Sequence, residues 1–64
     1  MTYRLLRYDR YGRGARRLGD YHTYNAAINA AKRVIAAQGR RVIGEWFGRV
    51  NDCAGVAYEI RRDE

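Results

Sequence analysis

TYNAAINAAKRVIAAQG, Thr23 to Gly39, decides the fold, because it alone carries a sustained helical pattern with a start and a stop. Thr23 can accept from the first free amides, and Gly39 can take the left-handed conformation that closes a last turn. No Pro or Gly interrupts the residues between them. Tyr24, Ala27, Ile28, Ala31, Val34 and Ile35 recur at three-then-four spacing and form one apolar face, while Asn25, Asn29, Lys32, Arg33 and Ala36 fall on or near the other. The apolar face is mostly alanine, so the helix is expected to lie close against a sheet supplied by its flanks.

Upstream, Thr2 to Arg10, TYRLLRYDR, reads as a first strand. Tyr3, Leu5 and Arg7 share one face of it and Arg4, Leu6 and Tyr8 the other, so alternation does not say which face meets the helix. YGRGA, Tyr11 to Ala15, reads as a hairpin turn, and Arg16 to Tyr21 as a short returning strand. Downstream, Arg40 to Val50, RRVIGEWFGRV, reads as one long strand with Val42, Gly44, Trp46, Gly48 and Val50 on one face, where the glycines leave room for a helix backbone or a bulge. NDCAG, Asn51 to Gly55, reads as a turn, and Val56 to Arg62 as a last strand, with Val56, Tyr58 and Ile60 alternating against Ala57, Glu59 and Arg61. The expected architecture is a single α+β domain over residues 1–64, a two-layer sandwich of one helix on a mainly antiparallel sheet in the order ββαββ. Its uncovered sheet face is expected to carry arginines mixed with aromatics.

A chain of 64 residues buries a small core, and Cys53, its only cysteine, offers no disulfide to compensate. A lone thiol suits a reducing compartment, so a cytoplasmic protein of a bacterial host cell is expected. The charged N-terminus has no signal-peptide core, and no apolar run approaches the roughly 18 residues that span a bilayer, so neither secretion nor membrane contact is expected.

The formal net charge is +6, and it is unevenly spread. Met1 to Gly19 holds six arginines against one aspartate, a net +5. A GC-rich genome alone would favour Arg over Lys, but it would not cluster the arginines. Arg7, Arg10, Arg13, Arg16 and Arg17 gather at the first turn with Tyr8, Tyr11 and Tyr21 among them. Such a tip can neutralise phosphates without reading sequence, and its rings can stack on exposed bases. Arg40 and Arg41 form a second basic pair after the helix, and Lys32 and Arg33 a third within it. The competing reading is a solvated basic surface whose tyrosines close the core. A protein groove lined with acids would attract the same side chains, since Arg and Tyr are also enriched at protein hot spots.

Enzyme signatures are absent: no GxxxxGK, HExxH, CxxC or GxSxG occurs. Cys53 and His22 are too few for a zinc site, and no third group marks them as nucleophile and base. No catalysis, cofactor, metal or small-molecule substrate is expected.

The helix segment AAKRVIAAQG, set after the strand YRLLRYD and before RRVIGEWFGRV and GVAYEIRRDE, resembles the arrangement in small phage-encoded anti-CRISPR proteins that inhibit type I surveillance complexes. The pattern covers about Ala30 to Glu64, with literal matches at Ala31-Lys32-Arg33 and Ala57-Tyr58. The resemblance implies a non-catalytic inhibitor that docks on the crRNA-bound Cascade complex and blocks or diverts DNA binding, with Lys32 and Arg33 among its contacts. In this chain the densest charge precedes the helix. The expected partner is thus a nucleoprotein complex of the type I CRISPR kind, engaged through Arg7, Arg10, Tyr11, Arg13, Arg16, Arg17, Lys32, Arg33, Arg40 and Arg41. The alternative is a small basic DNA- or RNA-binding accessory or regulatory protein. An unpaired sheet edge leaves both a monomer and a homodimer open.

Overall fold

The computed structural model describes residues 2–9 and 14–63. They form six elements: β1 (Thr2–Tyr8), β2 (Ala15–Tyr21), α1 (Tyr24–Ala37), β3 (Val42–Trp46), β4 (Arg49–Asp52) and β5 (Ala57–Asp63). The expected α+β class holds, with one helix on one antiparallel sheet. The expected ββαββ order does not, because Arg40 to Val50 is two strands rather than one.

The break lies at Phe47 and Gly48, whose φ angles are 45° and 77°. Two positive φ values in a two-residue loop are the signature of a type I′ hairpin turn, whose twist matches that of the strands it joins. Gly48 is doubly required there. A Cβ would meet the Ile60 carbonyl oxygen at 3.3 Å, and the Gly48 carbonyl itself accepts a 2.7 Å bond from Ile60 N–H. The register of β3 on β4 also slips between Val42 and Gly44, which leaves Ile43 as the extra residue of a bulge beside one of the two glycines expected to leave room for a helix backbone or a bulge.

The helix ends follow from the sequence. Thr23 Oγ1 accepts from Ala26 N–H at 3.0 Å. At the other end Gly39, at φ 72°, donates to Ala36 O and Arg40 N–H reaches Ile35 O, the paired bonds of a Schellman motif. Ala27, Ile28, Ala30, Ala31 and Ile35 are buried. Val34 is partly buried and Tyr24 lies at the margin, edge-on to Tyr3 with ring centroids 6.1 Å apart.

The sheet order is β2-β1-β5-β4-β3, with every pairing antiparallel, so the two terminal strands lie side by side near its middle. Leu5, Val50, Tyr58 and Ile60 face α1 and close the core with Val56. Leu5 and Ile60 are opposite one another in register, and this decides the question that β1 leaves open in sequence. The face with Tyr3, Leu5 and Arg7 is the covered one.

One polar side chain belongs to this core. Asp52 is fully buried, its Oδ1 accepts from Ala54 N–H at 2.8 Å and Val56 N–H at 3.0 Å, and its Oδ2 lies 3.3 Å from Arg40 Nη1. A carboxylate placed there organises the turn from β4 to β5 and draws in the chain leaving α1. Arg40, expected as a binding residue, is therefore spent on a structural ion pair.

Candidate nucleic-acid interface

Side chains alternate between faces along a strand, and directly opposed residues share a face. The face away from α1 can therefore be written out from the register. One row crosses all five strands, from Arg17 through Leu6, Glu59 and Arg49 to Trp46. Four intervals of ~4.8 Å give it a length of about 19 Å, long enough for a few nucleotides. A second row runs Asp20, Arg4, Arg61, and a third runs Ala15, Tyr8, Ala57, Asn51, Gly44.

The charges on this face are paired in a repeating way. Asp20 lies between Arg4, at 3.8 Å, and Arg17. Glu59 lies between Arg49, at 3.6 Å, and Arg61, at 2.9 Å. Arg61 also donates to Tyr8 Oη at 3.4 Å. Among the described side chains, four arginines against two carboxylates leave a surplus of two positive charges. Solvent-exposed pairs of this kind contribute about 0–1 kcal/mol of stability. Their geometric effect is larger, because each carboxylate holds two guanidiniums in place across neighbouring strands.

Leu6 is 7% exposed although no helix covers it, which leaves the long side chains around it, including its register neighbours Arg17 and Glu59, to shelter it. At the far end of the row Trp46 is 50% exposed, and its indole lies over Gly44: a Cβ there would come within 2.0 Å of the ring. Gly44 thus leaves the space that the indole fills, and the ring stays half exposed. Ile43 and Phe47 beside it are 68% and 101% exposed.

The residues singled out in sequence are dispersed. Arg17 lies on the bare face, but Arg7 and Arg16 face the helix side, opposite one another at the hairpin end. Lys32 is held by Glu45 at 3.1 Å, which ties α1 to β3. Arg33 and Arg41 are exposed, and Arg40 is committed to Asp52. Arg10, Tyr11 and Arg13 lie outside the described residues. Arg4, Arg49, Arg61 and Trp46, absent from the expected set, carry the bare face. The pattern that marks them is period-two alternation, usable only once β1 and β5 are known to be neighbours.

His22 follows the edge strand β2, whereas Cys53 accepts from Arg41 N–H at 3.5 Å beside β3, the opposite edge. Among the described residues no group of three or more His, Cys, Asp or Glu could hold a metal ion, and no helix is long and apolar enough to cross a membrane. Comparisons with family models, curated proteins and solved structures find no match to this chain.

Proposed function

We propose that this chain is a non-catalytic binding protein that takes single-stranded nucleic acid across its bare sheet face. The observation that carries this reading is the row from Arg17 to Trp46, which places two guanidiniums, Arg17 and Arg49, and a half-exposed indole at its end on the sheet face away from α1. Phosphates compete for the paired arginines, and bases stack on Trp46 and Tyr8 in any sequence. Sheet faces that bind single strands combine these two elements. The lone thiol fits action in the reducing cytoplasm of a bacterial host.

A second reading keeps the same surface but places the nucleic acid inside a protein assembly. It is favoured by the apolar tip of Ile43, Trp46 and Phe47, since exposed aromatics are the anchors of protein interfaces. Under it the chain is a phage or mobile-element inhibitor of the anti-CRISPR type, docking on a crRNA-guided type I complex.

A binding titration against free single-stranded RNA, single-stranded DNA, duplex DNA and assembled Cascade separates the two. The first reading expects binding to free single strands in preference to duplex, with log affinity falling against log salt at a slope of about −1.4 to −2.8 for two to four displaced phosphate counterions. The second expects stoichiometric binding to the assembly alone, little changed from about 50 to about 200 mM salt. Binding to none of the four overturns both.

A further inference from the structure

The helix side of the β1–β2 hairpin holds an arrangement that the bare face does not explain. Arg7 and Arg16 are directly opposed in register, so their side chains leave the same face of adjacent strands. Like charges opposed in this way repel. Arg4, Arg17, Lys32, Arg40, Arg49 and Arg61 each pair with a carboxylate, whereas Arg7 and Arg16 have no such partner among the described residues. Arg7 Nε is moreover buried without a hydrogen-bond acceptor among those residues. A buried guanidinium donor with no acceptor beside a second guanidinium is costly unless something anionic completes it.

The two arginines line a cleft of about 190 Å³ together with Asp9 and Gly14. At roughly 30 Å³ per water, that space holds about six waters, enough for a tetrahedral oxyanion and part of its shell. Among the described residues nothing lies within 4 Å of where a Cβ on Gly14 would stand. Asp9 borders the cleft and is engaged in a contact of its own, so the lining charge is +1.

We propose that Arg7 and Arg16 form a phosphate-binding site for a phosphate monoester. Two planar guanidiniums offer the paired N–H donors that tetrahedral oxyanions accept, and Arg7 Nε–H supplies a donor already desolvated. The group could be carried by the end of a single strand turning round the β2 edge or by a small phosphorylated compound. This goes beyond the sheet-face reading and stands apart from it, because the site faces the other side of β1 and β2.

The test follows the arginine Nε–Hε resonances of the full-length protein by NMR during titration with inorganic phosphate, at ionic strength held constant with chloride. The Arg7 and Arg16 signals are expected to shift saturably while those of Arg33 and Arg41 do not, and Arg16→Ala is expected to weaken the response at least about tenfold. Arg16→Lys, which keeps the charge and loses the fork, is expected to be intermediate, and covers the case in which the alanine variant folds poorly. A 5′-phosphorylated oligonucleotide that outcompetes its 5′-hydroxyl form assigns the phosphate to a nucleic-acid end, competition by neither assigns it to a small phosphorylated compound, and equal competition by the two, which is phosphodiester recognition, overturns the monoester site. Shifts that are absent, that spread over all arginines, or that survive Arg16→Ala overturn the site. Loss of single-strand binding at the bare face with these shifts intact would leave it standing.

Discussion

At the residue scale, Phe47 and Asp52 are held in opposite ways. Phe47 sits at φ 45° with its ring entirely in solvent, a bulky residue in a conformation that costs L residues about 1–2 kcal/mol and with no packing to offset it. Asn is the preferred occupant of that position in a type I′ turn. Phe47→Asn is therefore expected to raise stability by about 1 kcal/mol in urea denaturation, and a loss of stability would show that the ring is packed. If the tip anchors a protein partner, the same change weakens docking. Asp52 is the reverse case, a turn-type residue with a buried carboxylate. Asp52→Ala leaves two amides and Arg40 without an acceptor and is expected to cost about 2–4 kcal/mol by the same measurement. The sequence NDCAG announces a turn, but Arg40 reaches Asp52 only because α1 delivers it there, and no local pattern records that.

At the scale of elements, α1 was legible to its ends because each signal is local. Thr23 and Gly39 act on amides and carbonyls within four residues of themselves. Gly39→Ala tests this directly. No described residue would touch the added Cβ, so the expected loss of about 1 kcal/mol in thermal or urea unfolding comes from the left-handed conformation. An unchanged midpoint would mean that the C-terminal turn relaxes out of the left-handed geometry. The β3–β4 hairpin was not legible, since its turn begins with Phe rather than Asn or Asp, and an aromatic flanked by Trp46 and Gly48 reads as strand. Reading the two strands as one puts Trp46 and Val50 on a common face, whereas the turn sends Val50 into the core and leaves Trp46 outside.

At the scale of the molecule, the pairing of β1 with β5 turns scattered arginines into a surface. The expectation of a bare face mixing arginines with aromatics holds, and its arginines and rings are divided evenly, with Arg4, Tyr8 and Arg17 from β1 and β2 and Arg49, Arg61 and Trp46 from β4, β5 and β3. Charge density along the chain does not reveal this surface, because it ignores which strands become neighbours and which arginines are held by carboxylates. The central claim is that the row ending at Trp46 binds single strands. Trp46 is the only tryptophan, so its emission reports on that row alone. On titration with a short single-stranded RNA or DNA, quenching that saturates is predicted, weakened by about 1–3 kcal/mol on Tyr8→Ala and abolished by raising salt. Emission unchanged by single strands at low salt would contradict the account.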